Sequence, residues 1–451
     1  MNSAYLNKED YLIIGLGQTG LSIASHLSAQ GKYFSIADTR LNPPGLEVFR
    51  QEWPNVSIWL GPLDVELTCS VSCLVVSPGI SVTDTAITTA RQQGVEVIGD
   101  IELFCREVQQ PIIAITGSNA KSTVTTLLGE MASAAGKKVG VGGNIGLPVL
   151  DLLAQGPHDL YVLELSSFQL ETTQSLNALA AVVLNISEDH LDRYADFADY
   201  IFAKQRIYHH CSTAVFNRED SKTFPIHGLK AARLNFGLNT PSQENELGLI
   251  HLGDECWLIK GDMPLMPASE VPLVGDHGLS NALAAFALGL VAGFPVAAMR
   301  SALVAFKPLA HRCEFVACRN KVAFYNDSKA TNVGAMLAAV KGLAKPEAPL
   351  WLVLGGEGKG QDFSSLATAL ATNIAGVALI GRDALLIADF LPTDLKHQFL
   401  ASLPEAVTWL ANQAVEGDQV LLSPACASFD QFNGFEHRGE VFAQCVIDLP
   451  S

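Results

Sequence analysis

A chain of 451 residues exceeds one ordinary core and is long enough for about three domains of ~150 residues each. Apolar residues make up 49% of it and charged residues 17%, which excludes wholesale disorder and predicts well-buried sheets. A formal net charge of −17 without clustered Lys and Arg excludes a duplex-binding surface, and nine scattered cysteines with no C-x-x-C and no secretory leader fit a reduced, cytoplasmic protein.

From the start, short apolar runs at Tyr11–Gly15, Phe34–Asp38, Ser57–Gly61, Leu74–Ser77 and Val95–Gly99 alternate with helical stretches. This rhythm predicts βα units, a parallel sheet and a first domain over 1–99. Within it, Gly15-Leu16-Gly17-Gln18-Thr19-Gly20 lies between a strand and the helical Leu21–Leu27, and Asp38 closes the next strand. Read alone, this is either a bare tight turn or a dinucleotide fingerprint, whose glycines admit a pyrophosphate to a helix N-terminus while the acid binds a ribose.

A second α/β series, predicted over 100–308, opens with Ile112–Thr116 and continues through Lys138–Gly142, Tyr161–Glu164, Ala181–Asn185 and Ala214–Asn217. Ile112 to Thr123 reads as strand, loop and helix start, with Thr123–Ala135 helical and Gly136 its stop. Backbone N–H groups at such a turn cradle phosphate oxygens; Lys121 can reach the terminal phosphates, and Ser122 or Thr123 can hold Mg²⁺. Ile115 and Ala120 nevertheless stand where G-x-x-x-x-G-K-[ST] requires glycine, so a capped helix with an accidental lysine is the plain alternative. Glu164 ends a buried strand, where a carboxylate is well placed for a metal or simply faces solvent. Ser187–Arg193 packs His190 among three acids at the same sheet edge, and Lys204, on the helical Phe197–Tyr208, reads by itself as an ordinary solvated lysine.

Between about 222 and 276 the rhythm loosens into short alternating pieces, Gly248–Leu252 and Cys256–Lys260, predicting a small antiparallel elaboration. Ala282–Met299 is uncharged and long enough to raise a membrane span. Gly289, Gly293 and Pro295 favour instead a buried helix capped by Ser280, a turn and a second helix. Lys307-Pro308 marks the next boundary, and a third α/β domain over 309–451 contains the strands Leu350–Leu354, Val377–Ile380 and Val420–Leu422.

Gly117–Thr123, Gly142–Gly146, Leu163–Leu170, Glu188–Arg193, His311-Arg312, Asn326–Asn332 and Ser423–Ser428 occur in the order found in Mur ligases, and the resemblance spans essentially the whole chain. Ser328–Asn332 and Ser423–Phe432 look like the D-glutamate-adding branch; the Asp-Asn-Pro-Arg motif of the meso-diaminopimelate-adding branch is absent.

That resemblance implies three consecutive α/β domains: a Rossmann-like first, a P-loop-type central ATPase and a Rossmann-like third that brings the amino acid. It implies a ligase reaction in which an alanyl carboxylate takes the γ-phosphate of ATP and the glutamate amine displaces phosphate. The first domain then holds a uridine diphosphate, with Gly17, Gln18, Thr19, Asp38, Thr39, Arg40 and Gly79 as contacts, and the nicotinamide reading falls away. ATP is expected on Gly117, Ser118, Asn119, Ala120, Lys121, Ser122 and Thr123, with Asn281, Arg312 and Asp327 around adenosine and its phosphates. The implied catalytic group is Lys121, Glu164, His190 and Lys204, and the implied ligands of two Mg²⁺ ions are Ser122, Glu164, His190 and a carbamylated Lys204. Asn144 sits near the junction of both substrates, while Lys329, Thr331, Lys359, Ser428 and Phe435 are candidates around D-glutamate. The expected partners are UDP-N-acetylmuramoyl-L-alanine, D-glutamate and ATP, acting on a monomer with no nucleic acid or membrane. Two departures stand out: Gly278 replaces an asparagine near adenine, and Ala120 replaces a glycine. The loop is expected to tolerate Ala120, which keeps its N–H donor, at no cost where its φ is negative.

Overall fold

The computed structural model describes residues 10–225 and 230–450, so residues 1–9 of the expected first domain lie outside the described residues. Strands β1 (Tyr11–Ile14), β2 (Phe34–Asp38), β3 (Ile58–Leu60), β4 (Cys73–Val76) and β5 (Glu96–Ile98) form a wholly parallel sheet in the order β3-β2-β1-β4-β5. The order reverses between β1 and β4, which opens a crevice at the strands' C-terminal ends where the glycine-rich loop leaves β1. The helix after that loop, Gln18–Ala29, starts earlier than its apolar run because Gln18 and Thr19 complete its first turn.

The second sheet contains β6 (Ile112–Thr116), β7 (Val139–Gly143), β8 (Leu160–Glu164), β9 (Ala180–Val183), β10 (Thr213–Asn217), β11 (Ala232–Phe236), β12 (Glu246–Leu252), β13 (Glu255–Lys260) and β14 (Met263–Pro267). Its order is β14-β13-β12-β11-β10-β9-β6-β8-β7, parallel except for the β12-β13-β14 meander at one edge. The central strands are apolar throughout because helices cover both faces, so Ile113 and Ile115 enter one core and Ile112 and Ala114 the other. Adjacent β9, β6 and β8 deliver three loops to one edge, those after Thr116, Glu164 and Val183.

In the third sheet β15 (Glu314–Arg319) and β16 (Val322–Asn326) form an antiparallel hairpin. Then β17 (Leu350–Gly355), β18 (Ile374–Ile380), β19 (His397–Phe399) and β20 (Gln419–Leu422) complete the order β15-β16-β20-β17-β18-β19. The strands that the apolar pattern did not mark, including β15, β16 and β19, are edge or near-edge strands whose side chains are partly exposed, so no continuous apolar run announces them.

Two boundary expectations need correction. The uncharged stretch is, as expected, a helix, a turn and a second helix, Gly275–Val291 and Val296–Ala305, but the first has Val274 at its N-cap and Ser280 lies inside it, because the preceding residues already follow helical geometry. The Phe197–Tyr208 segment ends its α-helix at Gln205 and tightens into a 3₁₀ turn over Arg206–Tyr208. Among the described residues no helix is long and apolar enough to cross a membrane; Ala282–Leu288 instead packs into the core of the second sheet.

Gly20 tests how tightly the first loop is built. A Cβ there would collide with the backbone carbonyl of Gly15, although alanine is the better helix former. Gly20→Ala is expected to destabilise the protein by about 1–3 kcal/mol. Urea unfolding beside the natural protein measures this, and an unchanged or raised midpoint would show that the loop can yield.

Candidate active site

The loop after β6 is anchored on the segment leaving β9. Ser118 N–H donates to the Asn185 carbonyl at 2.9 Å, Asn119 N–H to Asn185 Oδ1 at 2.8 Å, and Ser187 N–H to Ser118 Oγ at 3.0 Å. Lys121 opens the Lys121–Ala134 helix and curls back, its Nζ donating to the carbonyls of Gly117 at 2.9 Å and Ser118 at 3.0 Å. Ala120, at the N-cap, has φ +66° and ψ −2°, so it occupies the left-handed region and the condition under which alanine costs nothing there is not met.

Lys204 is not solvated. It is 2% exposed, donates to the same Gly117 carbonyl at 2.9 Å, and lies 4.7 Å from the centre of the Tyr200 ring. Burial first, and then the charge of Lys121, hold its pKa well below the ordinary lysine value. Its helical spacing could not reveal this, because the cover comes from loops distant in sequence.

Glu164 is equally buried. Asn144 Nδ2 donates to its Oε1 at 2.8 Å, while Oε2 has no hydrogen-bond partner. His190 adopts φ +57°, packs 4.9 Å from Phe168 centroid to centroid, and is pushed down to about 4, chiefly by burial, so its ring is neutral at pH 7. Ser122 Oγ accepts from Arg312 at 2.9 Å. No three His, Cys, Asp or Glu side chains converge as a ready-made metal cage among the described residues. Mg²⁺ asks for less, since it keeps several waters and takes one or two carboxylates plus substrate phosphates. A buried carboxylate oxygen without a partner, a neutral imidazole and a serine hydroxyl fit that demand.

Beside this group a cavity of about 380 Å³ is lined by Asn119, Ala120, Thr123, Asn281, Arg312, Asp327 and Lys329, among others. Burial pushes Asp327 up to about 7 although Ser423 Oγ donates to it at 2.7 Å and Cys313 N–H at 3.2 Å. Lys329 Nζ stands 3.6 Å above the Phe435 ring and is pushed down to about 8 by burial and by the charges of Arg312 and Lys121. Lys359 leaves its glycine-rich turn with φ +53° to pair with Asp189, so that turn docks on the central sheet. Ser428 is buried, and Thr331 N–H closes a turn on the Lys329 carbonyl. Gly278 also lines this cavity, and a Cβ there would fall 2.6 Å from the Leu273 carbonyl oxygen, so no side chain fits without moving the backbone.

A second cavity, of about 480 Å³, lies over the switch point of the first sheet and is lined by Gly17, Gln18, Thr19, Thr39, Arg40, Gly79 and Asn144, among others. Asp38 does not join them. Its carboxylate accepts from Leu16 N–H at 2.6 Å and from the Arg40 N–H, Nε and Nη2 at 2.8, 2.9 and 2.7 Å, so it braces the loop instead. Burial opposes its ionisation, but the Arg40 and Leu16 donors outweigh it and hold the carboxyl below its usual range. The acid that a dinucleotide fingerprint needs is therefore fully occupied.

Three contributors carried no role in the sequence reading. Asp189, held below the usual range against burial by Lys359 and its neighbours, and Asn332 both lay inside quoted motifs. Arg438 is 1% exposed and donates to Ser328 Oγ at 3.0 Å, the Ser328 carbonyl at 2.8 Å and the Cys426 carbonyl at 3.0 Å, tying two cavity loops together. A lone arginine on an amphipathic helix gives no sequence signal for that.

Family models match the chain in the same order as its sheets: Mur ligase MurD-like N-terminal domain over 9–99, Mur ligase middle domain over 115–289, and Mur ligase glutamate ligase domain over 311–426. The chain belongs to the Mur ligase family. Among Mur ligases it is 51% identical to a UDP-N-acetylmuramoylalanine–D-glutamate ligase of Pseudomonas aeruginosa over 97% of this chain and 98% of that one. It is 49% identical to the protein of that name from Marinobacter nauticus, with the same coverage. The fold of this Mur ligase is shared with the MurF ligase of Thermotoga maritima in complex with ADP, at TM-score 0.62 and 16% identity over 99% of this chain and 97% of that one. It is shared also with a pseudomurein peptide ligase type C of Methanothermus fervidus, at TM-score 0.60 and 17% identity over 97% and 99%.

Two predictions follow from this geometry. Ala120→Gly should stabilise the protein by about 1 kcal/mol, since glycine occupies the left-handed region without penalty; a lowered thermal midpoint would sink that account. Asp327 has a folded pKa of about 7 against an ordinary 3.8, so the folded state holds its proton more tightly and this residue's contribution to stability falls as pH rises from about 4 to 7. Asp327→Asn should flatten that part of the stability profile and raise the midpoint at pH 7.5, as measured by calorimetry from pH 5 to 8. A midpoint lower than the natural protein's at pH 7.5 would show the ionised carboxylate to be stabilising.

Proposed function

We propose that this protein is an ATP-dependent ligase that adds D-glutamate to UDP-N-acetylmuramoyl-L-alanine, releasing ADP and phosphate, in peptidoglycan precursor synthesis. The observation that carries the reading is Asn144: it lines the cavity over the first sheet and donates to Glu164, whose charge acts on Lys121 of the phosphate loop. A substrate held by its uridine diphosphate in the first cavity would thus extend its far end to the place where ATP ends. The same arrangement supports a division into a UDP-binding domain at 1–99, an ATP-binding domain at 100–308 and an amino-acid-binding domain at 309–451. We take the protein to act as a cytoplasmic monomer.

In the first step an oxygen of the alanyl carboxylate attacks the γ-phosphorus and the bond to ADP breaks, giving an acyl phosphate. In the second the glutamate amine attacks the acyl carbon, phosphate departs with the bonding pair, and the proton lost by the nitrogen leaves with the phosphate. Lys121 and Arg312 neutralise charge on the transferred group and hold it in line, which is most of what phosphoryl transfer asks of a protein. Mg²⁺ held by Ser122, Glu164 and His190 would supply further neutralisation of the phosphate oxygens. Lys329, Thr331, Lys359, Ser428 and Phe435 would receive the amino acid, and docking of the third sheet over the second excludes water from the acyl phosphate.

Lys204 enters this scheme as a carbamate. Burial and the charge of Lys121 disfavour its ammonium form; the nitrogen of its neutral form attacks the carbon of CO₂ and loses a proton, giving a carbamate anion that can face the metal.

Phosphate release should require ATP, Mg²⁺, UDP-N-acetylmuramoyl-L-alanine and D-glutamate together, with L-glutamate and meso-diaminopimelate as poor replacements. Equal turnover with either replacement would remove the specificity, and NAD reduction would overturn the class. Lys204→Ala should lose most turnover while keeping its thermal midpoint, and small carboxylates should restore part of it. An active natural protein whose intact mass, under CO₂, shows no bound carbamate would remove that role.

A further inference from the structure

Asn332 touches more of the junction between the second and third sheets than its position requires. It caps the Val333–Leu343 helix, its Oδ1 accepting from Ala335 N–H at 2.8 Å, and it is 2% exposed. A cap needs only that oxygen, and serine serves as well. Here the same oxygen also accepts from Asn119 Nδ2 at 3.3 Å, while Asn332 Nδ2 donates to Asn119 Oδ1 at 3.1 Å and to Asp189 Oδ2 at 3.2 Å. The amide thus uses both N–H groups and its oxygen across the junction, on the phosphate loop and on the residue before His190. Two residues on, in the first turn, Gly334 has an ordinary helical φ, so flexibility does not explain it. A Cβ there would fall 2.6 Å from Ser187 Oγ and 2.8 Å from Ser187 Cβ, so close seating of this helix demands a glycine.

We infer that Asn332 is a closure relay: a positioning residue that lets the phosphate loop reach its working geometry only when the capped helix of the third sheet is seated, with Gly334 providing the clearance. It rests on the ligase reading, and it explains how arrival of the amino-acid domain is coupled to the ATP end without either ligand touching the other's loop. The reciprocal amide pair reads the seating through two bonds that must form together, and buried pairs of this kind lose their value when one partner is withdrawn.

The test uses the full-length protein with Asn332→Ser, which keeps a cap oxygen and removes the donors, and Gly334→Ala, which favours the helix but blocks its approach. Turnover, KM for each substrate, thermal midpoint and the radius of gyration with Mg²⁺ and a non-hydrolysable ATP analogue are compared. Both variants should keep their midpoints, lose about tenfold or more in kcat, leave KM for the UDP-sugar unchanged and stay more open in scattering. Adding Ser187→Gly to Gly334→Ala should restore kcat and compaction in part. Natural kcat and compaction in Asn332→Ser, or activity lost only in step with the thermal midpoint, would overturn the relay and leave a cap. A natural protein that turns over no substrate combination would instead defeat the ligase reading, and the scattering comparison would still decide the relay.

Discussion

One carbonyl oxygen, that of Gly117, accepts from two lysines 83 positions apart in the chain, each at 2.9 Å. Burial lowers the pKa of both lysines, and at Lys204 the charge of Lys121 lowers it further. The arrangement holds because the loop is pinned from outside, by Asn185 and Ser187 at the exit of β9, and because Glu164 and Asp189 supply opposing charge. Lys121, with Arg312 on the neighbouring Ser122, gives this loop a local positive charge that suits a polyanionic ligand whatever the net charge of the whole molecule. It resolves the difficulty of binding nucleotides on a chain of charge −17.

The strand order makes that centre possible. With β6 between β9 and β8, the phosphate loop, Glu164 and the 185–193 loop leave one sheet edge side by side. Low polarity around the loops strengthens each charge interaction and raises the cost of an unsatisfied group. Glu164 Oε2, without a partner, and Asp327, held near pH 7 by burial, are local sacrifices of stability concentrated where chemistry is proposed.

The third domain completes the centre through side-chain bonds that cross to the second. Arg312 reaches Ser122, Lys359 reaches Asp189 and Asn332 reaches Asn119, so each bond links a loop of one domain to a reactive group of the other. Polar bonds of this kind suit an interface that separates and closes again more than one that never opens.

By itself the sequence determined the α/β series, because a strand covered on both faces has to be apolar from end to end, and Ile112–Thr116 and Leu350–Gly355 obey that rule. It marked the strand, loop and helix start that we read as the phosphate loop despite Ala120, because strand, loop, Lys121 and Ser122 are contiguous. It also determined the family, through motifs in a shared order. Only the tertiary structure decided the rest. Lys204 looked solvated because helical spacing records its own turn and not the loops that bury it. A fingerprint records Asp38 as a residue type and not the donors of Leu16 and Arg40 that its carboxylate accepts from. Ser280 looked like a cap because composition marks where charges stop, whereas helical geometry had already begun at Gly275. Arg438 and Asn332 act through partners about 110 and more than 200 positions away, and long-range pairing of that kind is set by packing, which no local pattern encodes.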